Sequence, residues 1–182
     1  VKFQERDSNA QGVYLHMIGS KLVVVTGRHV VSVETLMLRV GTGGRWSYRH
    51  AMTQPLHGES PDETARRLSG VAAGDPGTVV HSTSWRHEPD EGIVLTYAVC
   101  PDPEPWLPAV EVPVLEIARG AAPATPSPER VDLAHVVAHA VRHLAFLLAE
   151  DPVVARVLRR DPRLAAALGP ALPGALAGAA RA

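Results

Sequence analysis

The hydrophobic period of this chain changes once, from two to about 3.6, and the change falls in the Gly/Pro-rich stretch Gly120 to Pro126, reading GAAPATP. Before it, apolar residues alternate or run in strand-length blocks. After it, Leu133, Val137, Ala140, Val141, Leu144, Leu147 and Leu148 fall on one helical stripe. Strands first and helices last is the order of an α+β protein: a mixed β-sheet with flanking helices and a C-terminal helical segment.

At 182 residues the chain can build one domain with a core, or one domain plus an appendage, but not two ordinary domains. Residues 1–12 read as a frayed N-terminus, 13–120 as the α+β domain, 121–127 as a linker, and 128–182 as a helical extension that packs on the domain or on a partner. A formal net charge of -1 and a pI of about 6.8 exclude bulk electrostatic binding to nucleic acid or anionic lipid. No run reaches the ~20 apolar residues of a membrane span. One cysteine, Cys100, excludes an internal disulfide framework and fits a reducing, cytoplasmic compartment.

Several elements carry their own signals. Val13 to Ile18 and Leu22 to Val25, separated by Gly19-Ser20, read as a hairpin. Val30 to Val40 is a strand that stops at Gly41-Thr42-Gly43-Gly44. The segment GTGGRW lacks the Gly-Lys-Ser/Thr ending that grips phosphate and magnesium, and reads as an ordinary hairpin loop before a strand from Trp46 to Met52. Ser60-Pro61-Asp62-Glu63 is a complete helix start: a cap, a proline at the first helical position and a capping-box glutamate, with Gly70 as terminator. Thr78 to His87 and Gly92 to Cys100 form a hairpin, and Val110 to Ile117 an edge strand interrupted by Pro113. Ser127-Pro128, Asp151-Pro152 and Asp161-Pro162 open three helices. The tail from Gly169 has too few branched apolar residues to make a core.

The order of strands, the loop Gly58 to Arg67, a long hairpin and a C-terminal helix resembles a Nudix domain over about residues 30 to 118. Its motif is a glycine, five residues, a glutamate, seven residues, then Arg-Glu-apolar-any-Glu-Glu. Glu59 falls on the first glutamate and Arg67 on the arginine. Thr53 stands where the leading glycine belongs, and Leu68, Ser69, Gly70, Val71 and Ala72 follow Arg67, so the three helix glutamates are missing. The resemblance implies an α/β/α sandwich and a site for a small phosphorylated or nucleotide-like ligand. The chemistry of such domains needs clustered carboxylates to hold magnesium against a pyrophosphate, and these positions supply none. The expectation is a Nudix-like protein without pyrophosphohydrolase activity, with Glu59 as its one catalytic candidate.

Nine histidines add two further candidates. His135, His139 and His143 recur every fourth residue, and His135 with His139 is a competent pair for zinc. One helix supplies two good ligands at most, so a tight site needs a strand or loop residue or a second chain. The expectation is that the protein as isolated carries less than one zinc per chain, with the histidine flank packed on the sheet or a second subunit. His50, His57, His81 and His87 lie on or beside the central strands, and His57 directly precedes Gly58-Glu59. Trp85 and Arg86 form a base-stacking and phosphate-pairing couple, although neighbours on a strand face opposite sides and a large aromatic more often anchors a core. Ser82 and Ser84 sit in no nucleophile elbow. The ligand-binding candidates are therefore His57, Glu59, Arg67, Trp85 and Arg86, and the metal candidates His135 and His139. Two alternatives stand beside this reading: a metal-dependent hydrolase using Glu59 with histidines, and an assembly module whose C-terminal helices form a homodimer.

Overall fold

The computed structural model describes residues 13–18, 21–26, 31–89, 92–125, 128 and 130–171; for the first two segments it describes backbone alone. Strands β1 (Val13–Ile18) and β2 (Lys21–Thr26) pair antiparallel as a separate two-stranded sheet. The expected turn residues, Gly19 and Ser20, lie outside the described residues, as do Ser127 and the tail beyond Ala171.

The main sheet contains β3 (Val31–Val40), β4 (Trp46–Thr53), β5 (Val79–Glu88), β6 (Gly92–Cys100) and β7 (Val110–Glu111). Their order is β5-β6-β3-β4-β7, with β3 and β6 parallel and every other pair antiparallel, so the sheet is mixed and the class α+β, as the change of period predicts. β7 corrects the expectation of a strand from Val110 to Ile117. It pairs with Ser47 and Tyr48 at the sheet edge, the Val112 amide donates once more to the Trp46 carbonyl, and no strand continues past Pro113, which has no N–H to donate.

Helix α1 (Pro61–Ser69) is built as its sequence dictates. The Glu63 amide donates to Ser60 Oγ at 3.3 Å, the Ser60 amide donates to Glu63 Oε2 at 2.8 Å, and Gly70 takes the left-handed conformation at φ 74° that ends the helix. Its Ala65 packs with Val33 and Tyr97 on one face of the sheet, and the Tyr97 hydroxyl donates to Asp62 Oδ1. Helix α2 (Leu133–Glu150) starts later than Ser127-Pro128 predicts, because Asp132 is its cap residue and the Asp132 amide donates to His135 Nδ1 at 3.3 Å. In α3 (Pro152–Leu158) and α4 (Pro162–Leu168) the aspartates do cap as read: Asp151 Oδ1 accepts from Val153 and Val154, and Asp161 Oδ1 from Arg163 and Leu164.

Strand alternation sorts the core into two layers. Leu36, Leu38, Ala98 and Cys100 point away from α1, and against them pack Val137, Val141, Leu144 and Leu148 of α2, Leu158 of α3 and Leu164 and Leu168 of α4. Helices thus cover both sheet faces. By length and composition α2 could cross a bilayer, but Val137, Val141, Leu144 and Leu148 are buried in this core. The apolar stripe is spent on the sheet; among its neighbours Phe146 and Val153 remain exposed.

Candidate functional site

Glu59 and Arg67 meet, but as a lock on the loop before α1. Arg67 Nε donates to Glu59 Oε1 at 2.7 Å and its Nη2 to Oε2 at 2.8 Å; the Leu56 amide and the Thr64 hydroxyl also donate to Oε2, at 2.8 and 2.9 Å. The Arg67 guanidinium first, then the Leu56 amide, hold the Glu59 carboxyl down at about 2, against the smaller opposing effect of burial. Both oxygens are engaged by donors, and Leu68, Val71 and Ala72 bring no further carboxylate. The residues present do not fit the magnesium that a Nudix motif holds. Glu63 is likewise occupied by Ser60, which lowers its carboxyl below the usual range. His57 is exposed on the same loop.

Trp85 and Arg86 are not brought together. Trp85 lies on the edge strand at 67% exposure, which corrects the expectation that it anchors a core. Arg86 turns to the other face, the one that bears α2 farther along, where the sheet holds a polar cluster that sequence reading missed. Glu34, 1% exposed, accepts from Arg86 Nη1 at 2.7 Å, Arg86 Nη2 at 3.0 Å and the Thr96 hydroxyl at 2.9 Å, and its Oε1 lies 3.0 Å from His50 Nε2. Burial pushes the Glu34 carboxyl up. The hydrogen bonds from His50, Arg86 and Thr96, with the Arg86 charge, outweigh it and hold the pKa at about 2. An ionised partner at Nε2 makes that nitrogen the donor, so Nδ1 of the exposed His50 is left as the acceptor in the neutral ring. The detectable signal was a glutamate close to the apolar run Leu36-Met37-Leu38 within one strand, since a carboxylate buried there must be paired.

The histidine row separates into three roles. His135 Nδ1 accepts the Asp132 amide hydrogen, and His139 is exposed. His143 packs on the sheet as expected, with its ring centroid 5.2 Å from that of His81 on β5 and 6.3 Å from that of Phe146. Burial, then the neighbouring His81 and His139, hold its pKa below the ordinary imidazole value. Among the described residues no three His, Cys, Asp or Glu side chains come together as a metal cluster. Cys100 is fully buried, and burial pushes its thiol far above the ordinary range, which leaves it unreactive.

A groove lies elsewhere on the surface. The GTGGRW segment is a hairpin loop, with the Gly41 amide donating to the Arg45 carbonyl at 2.9 Å and the Gly44 amide to the Gly41 carbonyl at 3.0 Å, and with Gly44 at φ 74°. This loop rims a groove of about 670 Å³ whose other walls come from Val112 to Leu115, α2 and α4. Apolar surface comes from Trp46, Val112, Leu115, Ala167 and Ala171, and positive charge from Arg45, Arg142 and Arg163. Arg45 pairs with Glu111 at 3.2 Å and Arg163 with Asp161 at 3.4 Å; Arg142 has no hydrogen-bond or ion-pair partner among the described residues. None of the ligand candidates His57, Glu59, Arg67, Trp85 and Arg86 lines the groove. No protein-family model, curated protein or solved structure matches this chain.

Proposed function

We propose that this protein binds a small phosphorylated, nucleotide-like ligand in the groove between the β3–β4 loop and α4, on a Nudix-like scaffold that does not hydrolyse it. The observation that carries the reading is the groove itself. Its volume of about 670 Å³ falls within the range of small-molecule sites, and it joins an apolar wall to three guanidiniums, of which Arg142 is uncommitted among the described residues. A planar base or sugar suits the Trp46 and Val112 wall, and a phosphate suits planar, always-charged arginine. The pairing of Glu59 argues against pyrophosphate hydrolysis, because Arg67 already neutralises its charge and Oε2 already accepts three hydrogen bonds, which leaves only Oε1 to face a cation.

Calorimetric titration with adenosine diphosphate and with adenosine tests this reading. Adenosine diphosphate is expected to bind at least about tenfold more tightly than adenosine, and Arg142→Glu to remove about that advantage, equivalent to ~1.4 kcal/mol or more. Equal affinity for the two compounds, or an undiminished preference in Arg142→Glu with the fold intact, contradicts it.

A further inference from the structure

The geometry points to a transition-metal site shared by His81 of β5 and His143 of α2, open to solvent species at its remaining positions and suited to a borderline ion such as zinc or cobalt. Three observations carry it, none of which involves the groove.

The first is the tautomer of His81. Its Nδ1 lies 2.8 Å from the Ser82 carbonyl oxygen, and a carbonyl only accepts, so Nδ1 carries the hydrogen and Nε2 carries the lone pair. A backbone carbonyl that fixes one imidazole nitrogen while the other faces a metal is the usual support for a histidine ligand. The second is an orphaned nitrogen on the neighbouring ring. Nε2 of His143 is buried without a hydrogen-bond partner, the sole side-chain polar atom of that kind among the described residues. Buried polar atoms are rarely left unpaired, so this nitrogen calls for an occupant that accepts its lone pair or takes its hydrogen. The third is the spacing. Two imidazoles bonded through nitrogen to one tetrahedral ion at ~2.0–2.1 Å bring their ring centroids to about 5 Å. Those of His81 and His143 stand 5.2 Å apart and tilted by 43°, as two ligands from different elements would be, not stacked in parallel.

The sequence points to His135 with His139, whereas this site draws on His143 of the same row and on the strand residue His81. His135 spends its Nδ1 lone pair on the Asp132 amide at the start of α2, and the strand residue that a helical histidine needs is His81. Two protein ligands leave the ion open to water or a small anion, which makes the site weaker than a closed three- or four-ligand centre. The ion would tie α2 to β5, at the sheet edge, and stabilise the folded state by linkage.

The test uses the full chain without an affinity tag. Cobalt is titrated while its visible ligand-field absorption is followed, and zinc is titrated by calorimetry and against the thermal midpoint. One ion per chain and a raised midpoint are expected. His81→Ala and His143→Ala should each weaken binding by more than the ~10–100-fold that a supporting group is worth, while His135→Ala binds as the parent does. His81→Asn, which keeps a polar strand residue, provides the same reading if an alanine variant folds poorly. Absence of saturable binding overturns the proposal. So does binding that survives loss of His81 and of His143, or that disappears with His135.

Discussion

Arg86→Met is expected to lower unfolding stability by about 3–5 kcal/mol, the scale for breaking a buried ion pair from one side. Arg86 closes both oxygens of a carboxylate that is 1% exposed, and without it Glu34 keeps only Thr96 and His50 as partners. The double variant Glu34→Met/Arg86→Met should recover much of the loss, because two apolar side chains of similar volume remove the uncompensated charge along with its partner. Urea unfolding of the two variants measures both effects, and a loss below about 1 kcal/mol in Arg86→Met would show that Glu34 rehydrates freely. The pH dependence follows the same residue. The folded carboxyl sits at about 2 against an ordinary 4.5, so it binds protons less readily folded than unfolded. Its contribution is therefore fully present above about 4.5 and is lost as pH falls through about 2. In Arg86→Met burial persists while the pull of the guanidinium is gone, and acid unfolding is expected to begin at a higher pH.

Asp102→Ala should cost about 3 kcal/mol, near the lower end of the same scale. The Asp102 side chain is 0% exposed and accepts from Arg49 Nη2 at 2.7 Å, from Arg49 Nε at 3.1 Å and from Arg39 Nη1 at 3.3 Å. Glu104 also contacts Arg49 at 3.1 Å and softens the loss. The consequence is local as well as global, because Arg39 donates onward to the Pro105 and Leu107 carbonyls and so pins the proline-rich loop after β6 to β3. Asp102→Asn is expected to fare little better, since its amide NH2 faces a guanidinium with no acceptor to offer it. Denaturant titration gives the stability, and limited proteolysis between Pro101 and Pro108 gives the loop. A variant as stable and as resistant as the parent would contradict this role.

Local chemistry was legible in the sequence where one segment contains both halves of an interaction. Ser60 with Glu63, Asp151 with Val153 and Asp161 with Arg163 lie two or three residues apart, so pattern and structure coincide. The alternation of Ile93, Leu95, Tyr97 and Val99 gave β6 its bounds for the same reason. Glu59 and Arg67 were singled out by a motif, yet their distance of eight residues along the chain already allowed them to meet each other instead of a ligand. What the sequence concealed is non-local. Glu34 and Arg86 are 52 residues apart, and nothing near either one announces the other. The groove draws on the β3–β4 loop, the stretch after β7, α2 and α4, so no window of sequence contains it. Trp85 was misjudged because a ring on an edge strand has no second layer to enter unless another element covers that face, and residue type alone does not say which strands lie at an edge.

We propose that Glu59, held by Arg67, Leu56 and Thr64, serves the structure of the loop before α1 and not pyrophosphate chemistry. Incubation of the full chain with magnesium or manganese and a nucleoside diphosphate derivative, with release of nucleoside monophosphate as the readout, tests it most directly. The expected result is turnover no faster than the buffer control, in the parent and in Glu59→Gln alike. Sustained turnover that Glu59→Gln abolishes while the fold remains intact would contradict the account.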